Sequence, residues 1–320
     1  MTLQRVLLRV GDFYYSTYEP HFLPQAAPKT LAAYREALTL WRSLTEDPPI
    51  DAVSNLTMAT FRAELAKRAW RGKSLSPATV NKHLAAIGAI LAKAGPAGPR
   101  NRDALSLIAQ VPWAKPLKLP RRRPRPSPQE LLGKIYAACG VAVAPAIAGV
   151  TPAAWWRAWI VVASQVGIRR QAMLSLEWSD LDLARRTLRV RAEEDKCGVE
   201  RLKPLKEVVV RHLVAIRSAD ARVFAWPYAT WRTLYREWRR IQAAAGVRRG
   251  EWYKLHALKA TCGTQVARVG GAHAVRAMLD HSSIATSELY VDATEWLREA
   301  VERAPHPVEF DQLFQRQQGG

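Results

Sequence analysis

A run of prolines and cations at residues 112–128 constrains the fold more than any other feature of the sequence. Its members are Pro112, Lys115, Pro116, Lys118, Pro120, Arg121, Arg122, Arg123, Pro124, Arg125, Pro126 and Pro128. Because proline donates no backbone hydrogen bond and fixes its φ angle, so many prolines exclude a regular helix or a central strand. The run predicts an extended, positively charged linker between two domains at residues 28–111 and 129–320, after a segment of unclear role at residues 1–27.

Residues 28–111 have the apolar periodicity of helices that bury one face. The first helix is expected to begin at Pro28, the second to cover 56–70, and the third to begin near Pro77, because proline suits the first helical turn. A fourth helix is predicted at 102–110. These elements indicate a compact all-helical domain.

Residues 129–320 combine helical periodicity with short stretches of strand pattern. Helices are predicted after Thr230 and at 130–138, 155–166, 255–268 and 272–278. Residues 187–191 alternate as in a strand, and 202–210 can hold a second strand and the start of a helix. We therefore expect a mainly α fold with a small β-sheet.

The charge of the chain favours a polyanionic partner. Its net charge is +20, from 48 Lys and Arg against 28 Asp and Glu, and the cations are spread along the whole sequence. Nucleic acid is favoured over a membrane surface, while a ribosomal or merely basic protein stays open as an alternative. The residues expected to contact DNA are Lys73, Asn81, Lys82, Arg121, Arg122, Arg123 and Arg125.

The sequence predicts neither a metal nor a cofactor. The cysteines Cys139, Cys197 and Cys262 have no metal-ligand spacing, and the sequence contains no glycine-rich phosphate loop. We recognise no signal peptide and no apolar run long enough to span a bilayer. The expected location is therefore the cytoplasm, in association with the nucleoid and without a membrane partner.

Tyr290 follows His281 by nine residues, and blocks rich in cations precede both. A tyrosine among cations is suited to cutting DNA without a metal, because it can attack a phosphodiester while the cations stabilise the added negative charge. Its phenol has an ordinary pKa of about 10, so it needs a cationic site to react as phenolate. Considered without His281 and the other blocks, Tyr290 is better interpreted as a core tyrosine on an amphipathic helix.

Four ordered blocks resemble the tyrosine recombinase (phage integrase) family. They are Gly-Ile-Arg-Arg at 167–170, Lys-Cys-Gly at 196–198, His-Ala-Leu-Lys at 256–259, and Leu-Asp-His-Ser-Ser-Ile-Ala-Thr-Ser-Glu-Leu-Tyr at 279–290. The family has Thr-Gly-Leu-Arg, a hairpin lysine, His-x-x-Arg and Gly-His-x(8)-Tyr in the same order. The resemblance implies an all-helical, SAM-like core-binding domain, then a linker and a mixed α/β catalytic domain.

The resemblance also implies a role for each matching residue. Tyr290 would be the nucleophile, Arg169 would hold the scissile phosphate, and Lys196 would protonate the leaving oxygen. His281 would donate a hydrogen bond to the phosphate, and His256 would assist proton transfer at the tyrosine. Taken alone, Lys196 reads equally as an exposed lysine in a turn.

Three residues depart from the family pattern. Lys259 stands where the family has a second arginine, so it keeps the charge but loses the two-pronged geometry. Ala172 stands where an acidic residue usually supports the first arginine. Asp280 replaces a glycine, and it is expected to orient His281 and raise its pKa, or to repel phosphate if turned inward.

The resemblance implies a site-specific recombinase of double-stranded DNA that needs neither metal nor ATP. It would be a monomer when free and a tetramer on two synapsed sites. The segment 296–301 would dock on a neighbouring protomer or on its own domain. A DNA-binding relative with an inactive site stays open because of the three departures, and a DNA-relaxing topoisomerase is a third hypothesis.

Overall fold

The protein divides into two compact units, residues 1–121 and residues 122–320. The structure is a computed structural model that describes residues 8–70, 72–99, 101–120, 124–195 and 198–291, without the side chain of Trp70. The segment 296–301, predicted to dock on a protomer, lies outside the described residues. Within the described ranges, no helix is both long and apolar enough to cross a membrane.

The first unit is helical, apart from a pair of two-residue strands. Its elements are α1 (Val10–Phe13), a π-helical turn (Tyr14–Tyr18), α2 (Glu19–Phe22), α3 (Pro28–Thr45), α4 (Asn55–Lys67), β1 (Ala69–Trp70), β2 (Lys73–Ser74) and α5 (Pro77–Ala94). The helices predicted from Pro28 and Pro77 begin at those residues, and the Ser76 hydroxyl caps α5 by accepting from the Thr79 amide (3.2 Å).

The core of this unit lies between α3, α4 and α5, where Trp41, Phe61 and Ile87 are fully buried. Phe13 and Tyr14 are also buried in it, so the segment before Pro28 contributes to the same core. Aromatic side chains bury large areas, which explains why this segment is held against the helices.

The predicted helix at 102–110 is wrong. These residues form no helix, and Ser106 adopts a positive φ of 52°. Instead the amides of Leu105, Leu107 and Ile108 donate to the carbonyls of Lys93 and Ala94 at the end of α5 (2.8–3.1 Å). Because the last carbonyls of a helix lack partners within it, this segment satisfies them by staying extended.

The second unit contains the remaining helices and a three-stranded antiparallel sheet. Its elements are α6 (Gln129–Ala137), α7 (Pro152–Val166), α8 (Arg170–Ser175), β3 (Leu181–Asp182), β4 (Thr187–Val190), β5 (Arg201–Pro204), α9 (Glu207–Val214), α10 (Trp231–Ala244), α11 (His256–Leu279) and α12 (Ile284–Glu288). The sheet order is β3-β4-β5, with Leu188 opposite Lys203 and Val190 opposite Arg201. The expected mainly α fold with a small β-sheet is confirmed.

A cluster of tryptophans forms the centre of the second core. Trp155, Trp156 and Trp159 of α7 are buried, and Trp238 of α10 stacks on Trp156 with ring centroids 6.0 Å apart. These tryptophans fix α7 in the core, and α7 packs along α11. The cluster therefore holds the helix that precedes Arg169 in a defined position.

The helix α11 merges the two helices predicted at 255–268 and 272–278. Its backbone is helical except at Gly271, where φ is 62° and ψ is −164°. Glycine adopts a positive φ without a Cβ clash, so the break falls where the sequence allows it. The helix ends at Asp280 in the left-handed conformation (φ 57°).

Candidate active site

A close approach between α7 and α11 places Arg169 beside the end of α11. Gly167 follows α7 with φ of 68°, and a Cβ atom there would come within 2.5 Å of Leu279 Cδ2 and 3.0 Å of Cys262 Sγ. Only glycine supplies both this backbone conformation and this lack of volume. Arg169 then occupies the N-cap position of α8, with an extended backbone.

Three side-chain cations bind the C-terminal end of α11. They donate to three consecutive carbonyls, Lys203 to Met278 (2.6 Å), Lys259 to Leu279 (3.0 Å) and Arg169 to Asp280 (3.4 Å). The last carbonyls of a helix lack internal partners and carry its negative partial charge, so cations are stabilised there. Positive side chains therefore surround the residues that immediately precede His281.

Lys259 is buried in this cluster, with an exposed fraction of 4%. Burial, and then the charge of Arg169, lower the pKa of its ammonium to about 8. Its buried Nζ donates to the Leu279 carbonyl. In the free protein the Lys259 ammonium therefore lies in the cation cluster and is bound to the end of α11.

The two histidines lie in the same electrostatic field. Desolvation by the surrounding protein, then Lys259, then Arg169 lower the pKa values of both His256 and His281. His281 Nδ1 is hydrogen-bonded to Ser287 Oγ at 2.9 Å, which fixes the orientation of its ring. Both rings are therefore favoured in the neutral form, which has one donor and one acceptor nitrogen.

The expectation that the charge of Asp280 raises the pKa of His281 is confirmed in direction. The Asp280 charge acts in that direction, but burial and the charges of Lys259 and Arg169 outweigh it. The Asp280 carboxylate is instead directed to Lys203 Nζ (2.9 Å) and Arg201 Nε (3.3 Å), with an exposed fraction of 5%.

Tyr290 is placed against the histidine and the helix. It follows α12 by two residues, and its ring centroid lies 5.5 Å from that of His281. It is 8% exposed, and burial, then Cys262, raise the pKa of its phenol. In the free protein the neutral phenol is therefore favoured, and deprotonation needs a base or an added cationic field.

Arg169 is selected over its neighbour Arg170 by their contacts. Arg170 Nη1 donates to Tyr235 Oη (2.6 Å) and its guanidinium lies over the Trp231 ring, so it fixes α10. Arg169 Nη1 donates to Asp195 Oδ1 (2.9 Å) beside the end of α11. The arginine that the family resemblance selects is the one in the cluster.

Sequence reasoning missed Asp195, Arg201 and Lys203. The β-strand alternation would place Leu202 inside, yet Leu202 is 70% exposed and Lys203 only 3% exposed. A cation at an inward position of a strand next to a hairpin is the signal that could have found Lys203, because a buried charge requires a partner.

The remaining predicted residues have varied surroundings. Lys196, Arg121, Arg122 and Arg123 lie outside the described residues. Lys73 is exposed on β2, and Lys82 forms an exposed ion pair with Glu36 (3.2 Å). Arg125 lies over the ring of Tyr253, with its guanidinium carbon 4.5 Å from the centroid.

Asn81 uses both polar groups of its side chain within the first unit. Its Nδ2 donates to the Leu117 carbonyl and its Oδ1 accepts from the Leu117 amide, both at 2.8 Å. This paired bond attaches the start of the proline-rich run to α5. Asn81 therefore acts as a structural clamp here, whereas its predicted contact with DNA stays a prediction.

The described residues contain no group of three or more His, Cys, Asp or Glu side chains placed to hold a metal ion. Where the first turn of α11 meets its C-terminal end, they contain a tyrosine, two histidines and several cations.

The sequence model of the phage integrase family matches residues 143–295, the part of the chain that holds this cluster. The second unit is therefore similar to the phage integrase family over these residues, which are less than half of the chain.

A curated relative, a Pseudomonas syringae protein named as a tyrosine recombinase XerC, is 24% identical over 160 residues. The match covers 45% of this chain and 33% of the relative, so the chain spans about a third of the length of that relative.

Solved integrase structures share the fold. A Tn1549 transposon integrase in complex with a circular intermediate DNA is 16% identical with a TM-score of 0.70, over 93% of this chain and 100% of the other. A lambda integrase dimer bound to a core site is 19% identical with a TM-score of 0.63, over 94% and 80% of the two chains. A lambda integrase tetramer bound to a Holliday junction is 16% identical with a TM-score of 0.62, over 90% and 78%. At these identities the likeness concerns the fold.

Proposed function

We propose that this protein is a site-specific DNA recombinase that cuts and rejoins double-stranded DNA through a 3′-phosphotyrosine. The observation that carries the proposal is the gathering of Arg169, Lys259, His281 and Tyr290 at one end of α11. A polyanion fits this arrangement because the positive groups converge beside a potential nucleophile.

The proposed cleavage is a transesterification. Tyr290 Oη attacks the scissile phosphorus and forms a new P–O bond, while the bond from phosphorus to the 5′ oxygen breaks. The phenolic proton passes to His256 or to water, and the leaving oxygen takes a proton from Lys196. The phosphoester energy is kept in the protein–DNA bond, so the step requires neither metal nor ATP.

The cations would stabilise the charge that develops on the phosphate. Arg169 can present two N–H groups to two phosphate oxygens, and neutral His281 can donate one hydrogen bond. Lys259 would contribute charge without forked geometry, after exchanging the Leu279 carbonyl for phosphate or acting from its present place.

Rejoining would follow when a 5′-hydroxyl from a partner strand attacks the phosphotyrosine. This exchange requires two synapsed sites, which we propose are held by four protomers that are monomers when free. The likeness to a lambda integrase tetramer on a Holliday junction supports the fold needed for this assembly. A chain with a net charge of +20 is expected in association with the nucleoid.

The proposal is tested with nicked duplexes taken from the junctions of the genetic element that encodes the protein. A nick near the cleavage site traps the adduct, because the short released strand diffuses away. We expect a protein–DNA adduct that survives denaturation, and none with Tyr290→Phe. An adduct that persists in Tyr290→Phe, or its absence from a wild-type protein that binds DNA, contradicts the proposal.

An inactive DNA-binding relative is the second candidate, favoured by two observations. Tyr290 is 8% exposed and Lys259 is 4% exposed in the free protein, so both are withdrawn from solvent. The two candidates separate on Lys259→Arg. Binding without cleavage by the wild-type protein favours the binding protein, and cleavage restored in Lys259→Arg would assign the lost activity to Lys259. Cleavage by the wild-type protein favours the recombinase.

A further inference from the structure

We infer that Asp195 is the positioning carboxylate of Arg169, supplied from the β4–β5 connection in place of an acid on the helix that Arg169 begins. The inference deepens the proposed function and rests on Arg169 binding the scissile phosphate. No role was predicted for Asp195 from the sequence.

The contact between the two residues is a partly buried ion pair, in which the Arg169 side chain is 31% exposed. Arg169 Nη1 donates to Asp195 Oδ1 at 2.9 Å, and the Asp195 side chain is only 1% exposed. A carboxylate withdrawn from water to this extent needs a cationic partner, and a hydrogen-bonded arginine satisfies that need. Because one edge of the guanidinium is held, its remaining donors keep a constant direction.

The backbone around Asp195 restricts the carboxylate. Residues Ala192–Glu194 form a 3₁₀ turn, and the Asp195 amide donates to the carbonyls of Arg191 and Ala192, both at 3.2 Å. Asp195 therefore ends a hydrogen-bonded turn and does not belong to a free loop. Its side chain is presented to Arg169 from a defined position.

A second cation links Asp195 to the end of α11. Arg201 Nε lies 3.6 Å from Asp195 Oδ2 and 3.3 Å from Asp280 Oδ1. Lys203 Nζ holds Asp280 at 2.9 Å. The charges thus alternate from Arg169 through Asp195, Arg201 and Asp280 to Lys203, and join β5, α8 and α11 at the site.

The helix α8 offers no acid for this purpose. Its residues are Arg170–Ser175, with the sequence Arg-Gln-Ala-Met-Leu-Ser, and Ala172 is buried. Among the described residues, the carboxylate that accepts from Arg169 Nη1 therefore comes from another element, as Asp195. A positioned arginine matters because its forked geometry, and not merely its charge, matches phosphate oxygens.

The test compares Asp195→Asn with Glu193→Gln, an acid-to-amide control at an exposed position in the same turn. Adduct formation is measured on nicked duplexes with either a phosphodiester or a methylphosphonate at the scissile position. Methylphosphonate lacks one charged oxygen, so its cleavage depends less on Arg169.

For Asp195→Asn we expect a rate reduced about 10-fold or more on the phosphodiester and a much smaller loss on the methylphosphonate, as for Arg169→Ala. Glu193→Gln is expected to match the wild-type protein on both substrates. Equal losses on the two substrates would indicate a purely structural role and overturn the inference. An unchanged rate of adduct formation in Asp195→Asn would also overturn the inference. So would a faster rate, which would mean that Asp195 competes with phosphate for Arg169.

A measurement on the free protein keeps the inference separate from the proposed function. In protein with ¹⁵N-labelled arginine, the Arg169 side-chain signal is identified by its loss in Arg169→Lys. We expect this signal to shift and broaden in Asp195→Asn and to stay in place in Glu193→Gln. A wild-type protein that forms no adduct would defeat the proposed function, while an unchanged Arg169 signal would defeat this inference.

If Asp195→Asn does not fold, Arg201→Gln replaces it, since this variant keeps the carboxylate but removes its link to Asp280. The same preferential loss on the phosphodiester is expected. The inference would be overturned if Arg201→Gln formed adduct at the wild-type rate and its Arg169 signal did not shift.

Discussion

The ring of Tyr290 lies directly against Gly263 of α11. A Cβ atom at position 263 would come within 2.5 Å of Tyr290 Cδ1 and 2.6 Å of Leu279 Cδ1. The missing side chain therefore provides the space that the tyrosine ring occupies. This contact sets the distance of Tyr290 from the helix.

Gly263→Ala is expected to displace Tyr290 and to reduce adduct formation about 10-fold or more, because small misplacements of a nucleophile are costly. The added methyl is also expected to lower the free energy of unfolding by about 1–3 kcal/mol through overpacking. Gly133→Ala in α6 is the control, since a Cβ there meets nothing within 4 Å. Full adduct formation in Gly263→Ala would mean that the observed position of Tyr290 is not needed for cleavage.

The depressed pKa of Lys259 predicts a loss of activity at alkaline pH. Its ammonium loses its proton as the pH rises through about 8, whereas arginine stays charged. The rate at low DNA concentration, which reports on groups of the free protein, should fall above that pH in the wild-type protein and persist in Lys259→Arg. The control is Lys134→Arg, which changes a lysine in an exposed ion pair with Glu130 in α6. This variant should keep the pH profile of the wild-type protein. Identical profiles for wild-type protein and Lys259→Arg would show that the Lys259 charge does not limit cleavage.

The pKa values of His256 and His281 in the candidate site predict lower stability in acid. Their folded pKa values lie below the ordinary value of 6.5, so the unfolded chain binds protons more readily. The free energy of unfolding should therefore be at its full value above about pH 6.5 and fall as the pH drops through that value towards the folded pKa. Thermal unfolding from about pH 7.5 to 5 should show a smaller decrease in His281→Gln than in His273→Gln, which changes an exposed histidine of α11. Equal decreases would contradict this assignment.

The clamp between Asn81 and Leu117 distinguishes structural from DNA-binding roles in the first unit. Asn81→Ala removes two hydrogen bonds of 2.8 Å, and about 1–3 kcal/mol of stability should be lost with them. Lys73→Ala changes an exposed residue of β2, so it should keep stability and weaken binding to all DNA sequences, with a salt slope reduced by about 1. Thermal unfolding and DNA titrations at several salt concentrations check both variants. Normal stability with weaker DNA binding in Asn81→Ala would make that residue a DNA contact after all.

The sequence predicted most helices, for reasons visible in particular residues. Pro28 and Pro77 mark helix starts, and the spacing of apolar residues around them reports the buried face. The helix at 102–110 was predicted wrongly because the backbone amides of this segment bind the carbonyls at the end of α5, which local periodicity does not encode. Lys203 was missed for a similar reason, since its partners Met278 and Asp280 lie more than seventy residues away along the chain.

The sequence by itself determined the resemblance to the tyrosine recombinases and the residue types of the candidate site, since tyrosine, histidine and arginine carry their chemistry wherever they lie. Tertiary structure decided what those groups do in the free protein. It withdrew Tyr290 and Lys259 from solvent, lowered the pKa values of His256 and His281, and supplied Asp195 to Arg169 from the hairpin. The physical reason is that burial and charge pairing depend on distances through space, and these are set by helix packing between segments far apart in the chain.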